Sequence, residues 1–362
     1  MTINKSEFKK ELIENTQGVK FLLDEYYDES KDYTDTFKYY KFAADGGNIT
    51  AINLLGDLYF DGNGIEKNYE KAVECYKKAA DEGNFEAMQS LGWCYIKGLG
   101  VRKNERLGVK FIRIAAKNGN YDALYSLGTL YIKPCYYYNF IYTKSSGIKQ
   151  NSKKAVEYFK LVIETCTNKV IKGRALYNLG ICYIEGNGVE ENITKGLELC
   201  KQGAELRGAA GMFRLAELYR NGNRIIRDYN KAFVWYKKAA CLGYKKAEFM
   251  LGRCYRFSLG TAKDYSKSME YLQKAACKGY SEAMFNMGDL YYYGCGVKEN
   301  YDEAIKWYIQ AAEAGHELSC NRLGSMYRDG VGVNKNIDEA CRWFQKASDL
   351  GNFEAKWYLK NL

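Results

Sequence analysis

The stretch AMFNMGDLYYYGCGVKENYDEAIKWYIQAAEAG, residues 283–315, decides the fold. In its first half Ala283, Met287, Gly288 and Tyr291 fall on one side of a 3.6-residue helix. Gly294-Cys295-Gly296 then breaks that helix, because glycine takes positive φ at no steric cost. The second half carries Ala304, Trp307, Tyr308, Ala311 and Ala312 at three- and four-residue steps, and Gly315 ends it. Gly288 and the Ala311/Ala312 pair are small where a large side chain would hold two helices apart. The stretch therefore predicts a helix–turn–helix unit packed closely, with Tyr291, Trp307 and Tyr308 filling the remaining space.

The unit recurs in register. The glycine of the first helix stands at Gly56, Gly92, Gly128, Gly180, Gly252, Gly288 and Gly324, with Ala216 in that place once. Successive steps are 36, 36, 52, 36, 36, 36 and 36 residues. Ala43/Ala44, Ala79/Ala80, Ala115/Ala116, Ala239/Ala240, Ala275/Ala276 and Ala311/Ala312 follow in step. A fixed period of this size means stacked helix pairs in a solenoid rather than one globular core. A single Pro against 35 Gly fits helices punctuated by glycine turns.

Three departures mark out the chain. Residues 6–26 carry an apolar period (Phe8, Leu12, Val19, Leu22, Leu23, Tyr26) that starts at a plausible cap, Ser6, and the chain opens with a degenerate unit whose first helix lacks the Leu-Gly step. The step of 52 places about 11 extra residues after Gly128, in the stretch near 132–153, and about five more in TCTNKVIKG before Arg174. Leu107-Gly108 replaces the usual Lys-Ala and predicts a weakened second helix. The expected organisation is an N-terminal capping helix and linker over 1–34, the array over 35–351, and a C-terminal capping helix over 352–362.

The motif A-x-x-x-L-G-x-x-Y-x-x-G-x-G-V followed by K-A-x-x-W-Y-x-x-A-A-x-x-G resembles the Sel1-like repeat, a relative of the tetratricopeptide repeat. Ala51–Gly83 and Ala283–Gly315 match it almost throughout, the latter with Glu303 in place of Lys. The resemblance spans roughly residues 35–360. It implies an all-α, right-handed superhelical solenoid of about eight 36-residue repeats with degenerate capping helices. It further implies an adaptor or scaffold with no shared catalytic residues. A cysteine-rich bacterial branch of the family has paired cysteines in each repeat; that pattern is missing here, and its disulfides are not carried over.

By analogy with tetratricopeptide arrays, the first helices line a concave groove. Three residues before the repeat glycine stand Tyr125, Tyr177, Phe213, Phe249 and Phe285; one after comes Arg253, and four after come Arg220, Arg256 and Arg328. Aromatics beside guanidinium groups suit a partner protein or peptide that is acidic with apolar anchors. The alternatives are that the Phe series packs between neighbouring helices and that the Arg series is a solvated edge. Tyr136, Tyr137 and Tyr138 in the inserted stretch form a candidate contact loop.

Formal charge +10 permits an acidic partner and makes RNA the rival ligand, since helical repeats can read bases with aromatics and Arg. The residues one after the glycine mix acids and apolar groups, so no base-reading code is visible. Chemistry has no constellation to work with. The one histidine, His316, reads as a surface loop residue without a nucleophile at motif spacing. The Gly-x-Gly turns lack the strand and the Lys-Ser/Thr of a phosphate loop. No enzyme, cofactor or metal site is expected. Twelve cysteines without a CxxC read as small buried hydrophobes, among them Cys94, Cys182 and Cys254 in one register and Cys241 and Cys277 in another. With no apolar leader and no run long enough to span a bilayer, the sequence predicts a cytoplasmic protein.

Overall fold

The computed structural model describes residues 33–132 and 149–361, and every regular element among them is an α-helix. The segment 6–26 and the cluster Tyr136, Tyr137 and Tyr138 lie outside the described residues. The chain divides into two compact units, residues 1–197 and 198–362.

In the first unit α1 (Tyr33–Asp45) occupies the place of a second helix and is the first described element. Pairs follow: α2 (Ile49–Asp61) with α3 (Tyr69–Asp81), α4 (Phe85–Lys97) with α5 (Glu105–Lys117), and α6 (Tyr121–Tyr131) with α7 (Ser152–Thr165). Then come α8 (Lys169–Glu185) and α9 (Ile193–Leu206), in which the unit boundary falls. The second unit pairs α10 (Ala209–Asn221) with α11 (Tyr229–Cys241), α12 (Lys245–Phe257) with α13 (Tyr265–Cys277), α14 (Ser281–Tyr292) with α15 (Tyr301–Glu313), and α16 (Glu317–Asp329) with α17 (Ile337–Asp349). α18 (Phe353–Asn361) closes it, its Tyr358 ring stacked 4.9 Å from Phe344.

Most helix starts are set by side-chain caps, those after Gly208, Tyr244 and Tyr280 excepted. Asn48, Asn84 and Asn120 each accept the backbone N–H three residues on, and Asn68, Asn104, Asn151, Asp228, Asp264, Asn300 and Asn336 do the same for second helices. Each satisfies a donor that the first turn leaves without an intrahelical partner. Four of the about five extra residues before Arg174 are absorbed by α8, which runs to 17 residues where α2 has 13.

The two glycines of the turn have different work. Gly98 ends α4 in the left-handed region (φ 73°), its N–H returning to the Cys94 carbonyl at 2.8 Å. Gly100 lies against the start of α3 in the preceding pair, where a Cβ would run into the Tyr69 carbonyl. The first glycine ends a helix and the second lets one pair sit on the last.

Within a pair the repeat glycine is a seat for the second helix. A Cβ at Gly288 would lie 2.5 Å from the Tyr308 ring, at Gly128 2.5 Å from Phe159, and at Gly324 2.7 Å from Phe344. Those rings are fully buried, each worth about 2–3 kcal/mol by area. Gly108 does not interrupt its helix: α5 is 13 residues long, and Gly108 brings its backbone onto Gly92 while Ile96 fills the gap. Loss of a side chain is exchanged for closer approach.

Cys94, Cys182 and Cys254 are buried as expected, and burial pushes their thiols up to about 11, 12 and 12. Cys241 and Cys277 are exposed, contrary to the sequence reading, because they are the last residues of α11 and α13 and fall beyond the packed Ala pair. His316 is likewise no free loop residue. It caps α16, accepting the Ser319 N–H on Nδ1 at 3.2 Å with its ring 4.8 Å from Phe285.

Candidate functional site

First helices stand beside one another, and what fills the space between them differs in the two units. In the first unit the links are polar. Trp93 Nε1 and Gln89 Nε2 on α4 donate to Ser126 Oγ on α6 at 3.2 and 3.4 Å, and Asn178 Nδ2 on α8 donates to the Tyr125 hydroxyl at 2.9 Å. Tyr125 is half-buried and Tyr177 is buried, so both belong to the joints between helices.

In the second unit aromatic contacts join the polar links. Phe213 lies tilted 5.3 Å from Tyr244, Phe249 edge-on 5.1 Å from Tyr280, and Phe285 tilted 4.8 Å from His316. In each case the second ring belongs to the residue that precedes the next first helix. All three Phe side chains are half-buried, with part of each surface left on the helix face.

The expected arginines divide into two kinds. Arg220 forks onto Glu217 at 2.7 and 3.0 Å, and Tyr236 donates to the same carboxylate. Arg256, its side chain 10% exposed, lies 3.6 Å from Asp289 and donates to Asn286 at 3.4 Å, tying α12 to α14. Arg328 forks onto Asp329 at 2.8 Å and covers the Tyr358 ring at 4.7 Å. Arg253 differs. Its guanidinium sits 5.9 Å from both Phe249 and Phe257, with no carboxylate in ion-pair range among the described residues.

Three residues that the sequence reading passed over complete this surface. Phe257 and Tyr293 are 49% and 52% exposed, one helical turn beyond Arg253 and Asp289. Arg322 on α16 covers Tyr292 at 5.4 Å and Tyr293 at 5.9 Å, again without an ion pair among the described residues. The signal was available: residues 249, 253 and 257 are spaced four apart, a single stripe on α12. The result is a face of half-open aromatic rings with two unneutralised guanidinium groups between them. Cation–π contact of this kind is worth about 0.5–1 kcal/mol at exposed sites and more once a partner removes water.

Position one after the repeat residue carries a further regularity. Tyr76 donates to Asp57 at 2.7 Å, Tyr308 to Asp289 at 2.9 Å, and Tyr236 to Glu217. Burial is the main cause that raises Asp57 to about 6, against the lowering effect of the Tyr76 hydrogen bond. These carboxylates hold buried phenols and do not form a catalytic pair.

The Sel1 repeat profile matches residues 25–48, 49–84, 85–120, 122–161, 173–207, 209–244, 245–280, 281–316 and 318–352. The chain belongs to the Sel1 repeat family. The first matched segment takes in α1, so the profile finds one segment more than the eight helix pairs among the described residues. A protective antigen of uropathogenic Escherichia coli with an SLR fold is 27% identical over 89% of this chain and 66% of that one, with a TM-score of 0.52. This chain thus spans just under two thirds of that antigen. A Sel1 repeat protein from Oxalobacter formigenes is 23% identical, over 92% of this chain and 94% of that one, with a TM-score of 0.57, and shares the fold. No curated protein matches. Sel1 repeats generally mediate contacts between proteins. Among the described residues of this Sel1 protein, no group of three His, Cys, Asp or Glu could hold a metal ion. None of its described helices is long and apolar enough to cross a membrane.

Proposed function

We propose that this Sel1 protein is a non-catalytic adaptor whose second unit holds a partner protein through a segment with acidic side chains and apolar anchors. The segment lies across α12, α14 and α16. The observation that carries the reading is Arg253: a cation without a carboxylate among the described residues, set between Phe249 and the half-exposed Phe257. Arg322 with Tyr292 and Tyr293 repeats the arrangement two first helices along. A carboxylate on the partner supplies the missing counter-charge, and apolar side chains cover the open ring faces. Arg220, Arg256 and Arg328 already have acidic partners, so they shape the face and contribute little new charge pairing. Glu217 and Asp289 on neighbouring helices disfavour a polyphosphate backbone there. Buried thiols and the absence of any disulfide among the described cysteines support a reducing, cytoplasmic setting.

The test is selection of a displayed random peptide library on the full chain, then titration of the enriched peptide. The expected peptides combine Asp or Glu with Leu, Phe or Trp. Arg253→Ala with Phe257→Ala should weaken them by about 30-fold, as loss of about 2 kcal/mol at a hot spot gives, with helical circular dichroism unchanged. Equal binding by the double variant sinks the reading. Retention of single-stranded RNA with affinity falling steeply with salt would replace it by nucleic-acid binding.

A further inference from the structure

A pocket of about 350 Å³ lies in the first unit where α6 ends and α7 begins, lined on its other side by α5. Four of its lining side chains are cations: Arg106 and Arg113 on α5, Lys149 before α7, and Lys154 within it. Tyr131 and Asn151 contribute a phenol and an amide, and among the described residues no carboxylate lines it. All four cations are exposed, and none is in an ion pair among the described residues. The carboxylates nearest in sequence do not serve it: Glu105 is held by Lys103 at 2.8 Å, and Glu157 is not in the lining. Nor can the counter-charge come from residues 133–148, which contain Lys133 and Lys144 but neither Asp nor Glu.

Four like charges around one concavity repel one another and gain most from a ligand of more than one negative charge. Planar guanidinium groups offer paired donors, and the lysines offer point charges that can follow the ligand. Arg113 is already turned toward the site by donating to the Tyr131 hydroxyl. The end of α7 is not what attracts the anion, since Asn151 Oδ1 already accepts the Lys154 N–H at 3.1 Å. We propose that this pocket binds a phosphoryl group, carried either by a small phosphate ester or by a phosphorylated side chain of a partner. With its near-double charge and three acceptor oxygens, phosphoryl matches several converging cations in a way that a single carboxylate does not. A volume of this size admits a small ligand or one modified side chain with its neighbours.

The full chain is titrated by calorimetry with inorganic pyrophosphate, with a mixed-sequence phosphoserine peptide library, and with the same library dephosphorylated. Binding is expected to pyrophosphate or to the phosphorylated library, and the stronger of the two identifies the source. Arg113→Gln with Lys154→Gln should weaken it by about tenfold or more, while Lys117→Gln with Lys153→Gln, exposed cations outside the lining, should leave it unchanged. Lys154→Gln alone repeats the test without touching the Tyr131 contact. No binding by the unaltered chain, no loss in the pocket variants, or the same loss in both double variants would overturn the proposal. Equal loss would mean attraction by net charge alone.

Discussion

His316 does for α16 what asparagine does for α2, α4 and α6, accepting a backbone N–H three residues into the helix. An imidazole can do so only while Nδ1 carries no proton. Burial is the largest influence on the ring and lowers its pKa below the ordinary 6.5, against the raising effects of Glu282, Glu317 and Asp289. The neutral ring is therefore the folded form. Stability linked to it is complete above pH 6.5 and is lost as pH falls through the lowered value. The expected outcome is that melting temperature drops more between about pH 7.5 and about pH 5 in the unaltered chain than in His316→Asn. The difference between the two isolates this group from Asp57, whose raised pKa works in the opposite sense: its contribution is greatest below 3.8 and is lost as pH rises through about 6. Parallel pH curves for the two proteins would show that the cap does not titrate. The sequence showed a single histidine in an Ala-Gly-His loop; its role depends on Phe285, thirty-one residues away, against which its ring is packed.

At the scale of the helix pair, glycine decides. Gly288→Leu in α14 pushes a branched side chain into the Tyr308 ring, and overpacking of that kind costs about 3 kcal/mol. A thermal melt should show a lowered transition, and a variant as stable as the parent would mean that α15 can swing aside at little cost. This part of the fold was legible, because a small residue recurring at 36 makes the seat visible before the ring that fills it. The residue after the glycine was less so. The sequence places it on the groove-lining face with Arg253, yet Asp57, Glu217 and Asp289 each receive a phenol from twenty residues after the repeat position. Where that later position lacks a hydroxyl, as in Ile112, Phe159, Leu272 and Phe344, the earlier one is Trp93, Thr129, Arg253 and Ser325. Helical periodicity cannot reveal such a pair, since it crosses the turn.

For the whole molecule, stability is a chain of neighbour contacts within each unit. The last link is α18, whose Tyr358 covers Phe344. Deleting residues 353–362 should cost the final pair about 2–3 kcal/mol of apolar burial and lower hydrogen-exchange protection in α16 and α17, leaving α2 to α5 as before. Loss of protection spread evenly over all helices would show one cooperative block instead. The array was legible end to end because its period is written in glycine and alanine. The proposed face was not, because exposure of a first-helix residue is set by the repeat that follows. Asn321 sits ahead of an asparagine cap, Asn352, whereas Phe249 sits ahead of Tyr280, and only the second pairing leaves an aromatic edge for Arg253 to share.

The ring pairs between repeats also bear on how such a chain can lengthen. Phe213 and Tyr244 both fall within the matched segment 209–244, Phe249 and Tyr280 within 245–280, and Phe285 and His316 within 281–316. A duplication with its breakpoints after Tyr244 and after Tyr280 would copy both members of a pair at once. The copy would hand its neighbour nothing but the residue before a helix, a place already filled in this chain by Asn, Gly, Tyr and His. Recombination at those points inherits its aromatic joint ready-made, so the array can grow by whole cassettes without waiting for a second, matching mutation.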